Sequence, residues 1–427
     1  MSTKPKEMNG IFAINKPSGI TSSTFLSKLQ RIFTNSSVFA KDLSDLRGAK
    51  IQQLQKENGG KGQFKASRRQ LRKVEKVKLG HGGTLDPLAC GVLVVGVGKG
   101  TKRLQNYLNG SVKVYETEAL FGIETTSADV EGEILLKSGY DHITMEQLNA
   151  VPEKFIGEVK QTPPIFSALK VNGKPLYEYA RNNIALPKEI KSRDVTVYEM
   201  EIFKDSLTTD HKHEGLTNAE IDKTMIGELK HNPTLNEDFH KVFYSKEYCS
   251  KNGLNPEEKQ DPGKPYPESE SESESSATAP PLLHFRTKVS SGTYIRSLIS
   301  DVAKCVHSNA YMVKLIREKQ AEWDLNHNVF QLEDFEQRDE LVWGDVLRRV
   351  LHTEDGATIG DLKSWFEEAE EKFKAEIEEK KRLAEEKKQL EQLEEQKKKE
   401  EQENGTQTKT EEKEPENVNE KKRTLEE

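Results

Sequence analysis

Apolar positions along the chain come in short bursts separated by long polar stretches. Ile11-Phe12-Ala13-Ile14 reads as a buried strand over Gly10 to Lys16, stopped by Pro17-Ser18-Gly19. Thr21 or Ser22 then caps a helix whose Phe25, Leu29 and Ile32/Phe33 share one face. From Thr34 to Lys78 the pattern dissolves into polar and basic residues, which predicts an inserted, partly helical surface segment over about 37–78. A second apolar run, Val92-Leu93-Val94-Val95, follows the glycine-rich loop His81 to Gly91. Val112 to Thr125 alternates as a half-buried strand does: Tyr115, Thr117, Ala119 and Phe121 on one face, Val114, Glu116, Glu118 and Leu120 on the other.

Met145 to Phe155 reads as a short helix before the loop Gln161 to Lys170, and Leu176 to Arg181 as a helix start carrying Tyr177 and Tyr179. Val195 to Phe203 and Leu282 to Ser290 are strand candidates, read as neighbours with a greatly lengthened connection. Closure entropy rises only slowly with loop length, so such an insertion is tolerable. The connection, 204–281, is polar, contains prolines and ends in a Glu-Ser repeat, which predicts disorder. Ser297 to Val306 and Ala310 to Ile316 are predicted as helices. Beyond about residue 350, Glu, Lys and Gln dominate; Phe366 to Gln402 fits a solvated charged helix better than a coiled coil, because heptads are not sustained. Residues 403–427 are expected to be disordered. These patterns divide the chain into a domain over 1–350 and a charged tail over 351–427.

Composition agrees that part of the chain stays unpacked: of 427 residues, 33% are hydrophobic and 32% charged. No apolar run reaches the length of a membrane span, and Met1 to Lys6 open no secretory signal pattern. The compartments left are the nucleus, the mitochondrion and the cytoplasm. Cys90, Cys249 and Cys305 are too scattered for a disulfide framework or a metal pair, which fits a reducing compartment. The net charge of −7 hides an asymmetry, because residues 1–110 carry 20 Lys and Arg against 6 Asp and Glu. A basic front end points to a polyanionic partner.

The candidate chemistry centres on His81-Gly82-Gly83-Thr84-Leu85-Asp86-Pro87-Leu88-Ala89-Cys90-Gly91. An Asp before Pro often serves only its own turn. Here the apolar run that follows holds the carboxylate over a core, where it is costly unless paired or used. With this loop go Gly10 to Ser23, Lys113-Val114-Tyr115 onward to Gly122, Ser167-Ala168-Leu169-Lys170 with Leu176 to Arg181, and Ser291-Gly292-Thr293-Tyr294-Ile295-Arg296. In these segments, in this order, the chain resembles the TruB-type tRNA pseudouridine synthases.

The resemblance implies an α+β pseudouridine synthase fold over 1–350: a mixed, mostly antiparallel sheet flanked by helices and loops. It implies isomerisation of uridine 55 in the tRNA T-loop to pseudouridine, with no metal or other cofactor. Asp86 corresponds to the nucleophile, which attacks the target nucleotide or stabilises the charge that develops on it. Arg296 corresponds to the arginine that pairs with that Asp; taken alone, it also reads as a surface ion pair or a phosphate contact. Tyr115 corresponds to the active-site tyrosine that stacks on the base and takes part in proton transfer at C5, although its strand pattern equally allows a core tyrosine. Tyr179 and Leu315 correspond to pocket-lining residues, with Leu315 also readable as core. His81 corresponds to the histidine that fills the space left by the flipped nucleotide. Lys16 and Lys170 belong to matched segments and are expected to contact RNA. The implied partners are the tRNA T-stem-loop and RNAs that mimic it, bound by a monomer. Bacterial relatives usually end in a small RNA-binding PUA domain, and 351–427 shows no strand pattern for one. The basic insertion is therefore a candidate replacement, or simply a solvated loop.

Two competing readings were weighed. Gly96, Gly98 and Gly100 before Thr101-Lys102 lack both phosphate-loop spacings, which removes a nucleotide-driven enzyme. A non-catalytic RNA-binding protein on the same fold needs neither Asp86 nor Arg296. His211 and His213, the other metal-like pair, fall in the insertion predicted to be disordered and are not expected to form a site.

Overall fold

The computed structural model describes residues 7–58, 65–182, 184–216, 239–268, 279–353 and 359–407, the last with side chains to 398. Thirteen strands run in chain order: β1 Gly10–Lys16, β2 Leu79–His81, β3 Cys90–Val97, β4 Lys113–Phe121, β5 Ile123–Thr125, β6 Ile134–Lys137, β7 Gly157–Gln161, β8 Lys170–Val171, β9 Lys174–Pro175, β10 Arg193–Ile202, β11 Leu282–Val289, β12 Ala310–Gln320 and β13 Trp323–Asp324. Nine of them form one sheet in the order β1-β3-β12-β4-β11-β10-β7, with β2 beside β3 and β13 beside β12. Every pairing is antiparallel except the short parallel one between β3 and β12. The fold is the expected mixed α+β arrangement, and β10 and β11 are neighbours as the sequence predicts.

One side of the sheet carries an aromatic layer. Phe12 of β1 packs with Phe33 of the helix Ser22–Asn35 and with Phe330 and Phe335, and Phe33 stacks on Phe39 and Trp343. The basic insertion is thus anchored at its start: Ser37–Glu57 is a helix that buries Phe39 and Leu54. A second core gathers Leu85, Tyr115, Phe155, Phe285, Leu298, Val302 and Leu315 between the middle strands and the helix Ile295–Lys304.

Three expectations are corrected. Ala310 to Ile316 is not a helix but the first part of β12, between β3 and β4. Two register shifts, between Met312 and Lys314 and between Arg317 and Lys319, break its alternation, so buried positions recur three apart and mimic a helical face. The expected helix over Met145 to Phe155 is two, Met145–Ala150 and Pro152–Phe155. Within the insertion over 204–281, residues 239–268 are ordered and packed. Ser245 caps the helix Lys246–Asn252, and Val242, Tyr244 and Cys249 join the second core. These few apolar residues in a polar stretch are too sparse to register as a period. The Glu-Ser repeat over 269–278 lies outside the described residues, as does 217–238.

The first compact unit runs to Phe366, past the compositional change near 350. Leu351 backs onto Gly10, the Leu362 amide donates to the His327 carbonyl at 3.1 Å, and Phe366 meets Phe330 edge-on. A chain ending at 350 loses the buried Leu351, Leu362 and Phe366. At about 1.5–3 kcal/mol for each large apolar side chain, its melting temperature is expected to fall by about 5–10 °C, read by calorimetry. The second unit, 367–427, is described only as the continuation of the helix Leu362–Gln407. Among the described residues no helix is long and apolar enough to cross a membrane.

Candidate active site

The loop between β2 and β3 is held from four directions before its carboxylate is considered. The Leu85 amide donates to Ser22 Oγ, and that hydroxyl donates back to the Leu85 carbonyl, both at 3.0 Å. Gln320 Nε2 donates to the Gly82 carbonyl at 2.7 Å and Arg317 Nη2 to the Gly83 carbonyl at 3.1 Å. Lys16 Nζ reaches the Pro87 carbonyl at 3.3 Å, and Ser18 Oγ the Leu88 carbonyl at 2.5 Å. Gly91 closes the loop at φ +103°, and a Cβ there would lie 2.3 Å from the Arg317 carbonyl oxygen, so only glycine fits. Leu85 and Ala89 are buried on either side. Asp86 between them therefore has a fixed backbone and a side chain that keeps 34% exposure.

Arg296 enters from the first turn of the helix Ile295–Lys304. Gln161 holds the preceding Tyr294 by both backbone groups, accepting from its amide at 2.7 Å and donating to its carbonyl at 3.0 Å. The guanidinium, 4% exposed, then splits three ways: Nε to Asp86 Oδ2 at 2.8 Å, Nη1 to the Ser127 carbonyl at 2.6 Å, Nη2 to the Phe166 carbonyl at 2.7 Å. The sequence led us to expect the fork to grip Asp86; instead one N–H binds it and the other two fix the plane. Burial alone would lower the Arg296 pKa, but Asp86 and Asp129 override it and hold the group above its ordinary value.

Asp129 was not anticipated. Its carboxylate lies 3.8 Å from Arg296 Nη1 and accepts from Ser127 Oγ at 2.5 Å. Burial raises its pKa against the pull of Arg296. Asp129→Asn keeps the shape but removes a charge from behind Arg296. Turnover is expected to fall about tenfold with the KM for RNA unchanged, the loss of one charged contact of roughly 1.5 kcal/mol. A change confined to KM would mean that Asp129 does not act through Arg296.

Tyr115 and Leu315 pack in the same core as Leu85, the residue before Asp86. Tyr115 pairs in register with Arg317, whose Nη1 approaches the phenol oxygen at 3.5 Å. Arg317, 1% exposed, is the second unanticipated residue: it braces the Val92 and Gly83 carbonyls and Tyr115 together. Its sequence signal was hidden in a strand that reads as a helix. His81 is half-buried at the end of β2; burial and the charge of Arg317 lower its pKa, and its Nδ1 has no partner.

The three remaining predicted residues take other positions. Tyr179 lies in the flanking unit 165–190, where its hydroxyl donates to the Val171 carbonyl at 3.1 Å, and no described contact joins it to Asp86. Lys170 is exposed on the same unit. Lys16 is fully buried, its amine donating to the Pro17 and Ile20 carbonyls at 2.8 and 2.7 Å. Burial pushes its pKa down to about 8. It braces the loop from inside rather than meeting a phosphate. Glu116 and Glu118 of β4 and His284 of β11 could ligate a metal by proximity, but the two glutamates alternate with Tyr115 along β4 and so lie on its other face, and the Lys314 amine lies 2.5 Å from Glu118. His213 packs against Glu118 there, so this stretch of the insertion predicted to be disordered is ordered as well.

A mixed sheet thus holds a half-open carboxylate against a buried arginine that makes three hydrogen bonds. The chain belongs to the TruB family of pseudouridylate synthases. Residues 68–217 match the model of the family's N-terminal domain. The tRNA pseudouridine synthase 4 of Saccharomyces cerevisiae is 49% identical over 87% of this chain and 91% of its own length. The enzyme of the same name from Schizosaccharomyces pombe is 33% identical over 76% and 82%. The tRNA pseudouridine synthase B of Francisella philomiragia is 36% identical, over 46% of this chain and 51% of its own.

Proposed function

We propose that this protein isomerises uridine to pseudouridine in tRNA, at position 55 of the T-loop, with Asp86 as the nucleophile. The observation that carries the reading is the Asp86–Arg296 pair. Arg296 fixes one carboxylate oxygen at 2.8 Å, while Oδ1 takes no hydrogen bond from any described residue and the side chain stays one-third exposed. A carboxylate so oriented can attack C1′ of a nucleotide turned out of its stack, or stabilise the positive charge that develops as the C1′–N1 bond breaks. The freed uracil keeps the bonding electrons, rotates, and forms the C5–C1′ bond, displacing the Asp86 carboxylate where that had bonded to C1′. The proton then leaves C5, and the proton-accepting role falls to Tyr115, beside the loop. N1 takes up a proton, so the atoms of substrate and product balance. His81, at the loop mouth, is the residue we assign to the space vacated by the nucleotide.

The test is direct. Purified protein with an unmodified tRNA transcript should yield pseudouridine at position 55, mapped by carbodiimide-dependent primer extension. Binding of the transcript without any pseudouridine would leave an RNA-binding protein and sink the catalytic reading.

A further inference from the structure

Several basic residues of the first unit are paired with acids across the surface. Lys28 meets Glu336, Lys160 meets Asp194 and Glu257, Lys246 meets Glu158, Lys251 meets Glu153, and Lys288 meets Glu199. The segment 65–78 is different. It carries seven cations and one acid, Glu75, all exposed, and none has an ion-pair partner among the described residues.

This segment is nevertheless tied down. Ser67 and Gln70 form a capping box on the short helix Arg68–Leu71. Leu71 and Val77 are both buried to 5% exposure. The Val77 amide donates to Thr34 Oγ1 at 3.1 Å, and Gln30 Nε2 donates to the Val77 carbonyl at 2.8 Å, both from the helix Ser22–Asn35. The Lys78 carbonyl accepts from the Gly98 amide at 2.8 Å. Backbone order with free, unpaired charge is a costly arrangement for a surface that binds nothing, because like charges close together repel. A flexible solvated loop needs neither the cap nor the buried anchors.

Its direction matters as much as its charge. Lys78 leads straight into β2 and His81, a step of about 10 Å at the rise of an extended strand. The bank therefore ends at the mouth of the Asp86 loop, and a polyanion held there enters the site along its own backbone.

We infer that Lys65 to Lys78 is a preformed phosphate-binding bank for the body of a structured RNA outside the loop that carries the target base. This rests on the proposed tRNA reading and adds to it the surface that holds the rest of the molecule. The contacts are to phosphates, so they position the RNA without reading its sequence. Each neutralised phosphate releases counterions and adds about 0.9 to the slope of log affinity against log salt on duplex RNA-like geometry.

The test compares two fourfold variants on full-length tRNA and on an isolated T-stem-loop. The first replaces Arg68, Arg69, Arg72 and Lys76 with Gln. The second replaces the ion-paired Lys160, Lys246, Lys251 and Lys288 with Gln and matches the change in net charge. The bank variant is expected to flatten the salt slope on full-length tRNA by about three units, and by less on the stem-loop. The matched variant should flatten neither by more than about one. Equal flattening by both variants shows a general charge effect and overturns the inference, as does an unchanged slope in the bank variant. If the fourfold bank variant aggregates, Arg68→Gln with Arg72→Gln must give about half the effect. Wild-type protein that makes no pseudouridine in tRNA would defeat the functional reading instead, whatever the slopes.

Discussion

Asp86→Asn is expected to bind tRNA within a few-fold of the unmodified chain and to form no pseudouridine. The substitution keeps the size and shape of the side chain while removing its charge. The loop does not depend on that charge: Ser22, Arg317, Gln320 and Lys16 hold its backbone through groups that the substitution leaves intact. What disappears is the negative charge of the carboxylate, and with it the nucleophilicity that the proposed attack requires. Removing a nucleophile that acts within a concerted group costs on the order of 10⁴- to 10⁶-fold in turnover. Stability should fall as well, because Arg296 loses its nearest counterion. A fully buried unpaired charge costs about 3–5 kcal/mol, but Asp86 is one-third exposed and Asp129 remains 3.8 Å from Nη1, so about 1–2 kcal/mol is the better expectation. Both effects can be read on one preparation, by pseudouridine mapping and by denaturant titration. Turnover by the Asn variant above the background of deamidation back to Asp ends the assignment.

How legible this site was depends on how local its causes are. The Asp86 loop and the strands β1, β4, β10 and β11 declare themselves through runs of neighbouring residues, because a strand's period and a glycine turn are written within ten positions. Arg296 was reached by another route, through the resemblance of Ser291 to Arg296 to the family's segment, since its residues alone also allow a surface ion pair or a phosphate contact. The residues that hold the site were reached by neither route. Arg317, Ser22, Gln161 and Asp129 act across separations in sequence of up to 234 positions, as between Arg317 and Gly83, and a buried polar network leaves no period behind. Lys16 shows the complementary error: a lysine in a loop motif reads as a phosphate contact, and only the packing around it shows that three carbonyls claim its amine. For β12, bulges shifted the pattern from the strand's period toward the helix's. For residues 239–268, three buried apolar side chains in a polar insertion were enough to pack it and too few to announce it.

Arg296→Lys is expected to cut turnover by about 10²-fold or more while changing tRNA affinity and its salt dependence little. A lysine keeps the charge but concentrates it at one point, whereas the guanidinium donates along three directions to Asp86, Ser127 and Phe166. An ammonium that reaches Asp86 abandons the carbonyls of Ser127 and Phe166; one that satisfies the carbonyls releases Asp86. Each buried acceptor left without a partner costs about 1–3 kcal/mol, so the fold should weaken by about 2–4 kcal/mol in either arrangement. The kinetic loss follows from orientation. In the proposed reaction Asp86 owes its direction of attack to a single 2.8 Å bond from a plane that two further bonds hold still, and a mobile ammonium cannot fix that direction. The alternative role, a phosphate contact, predicts the opposite division, with a flatter salt slope and intact turnover. With the Arg296 side chain only 4% exposed, little of it is open to a phosphate. A double-mutant cycle with Asp86→Asn adds a stability arm: once the carboxylate charge is gone, the effect of Arg296→Lys on stability should shrink by the energy of the lost pair. Two losses in stability that add in full would show that the residues act independently.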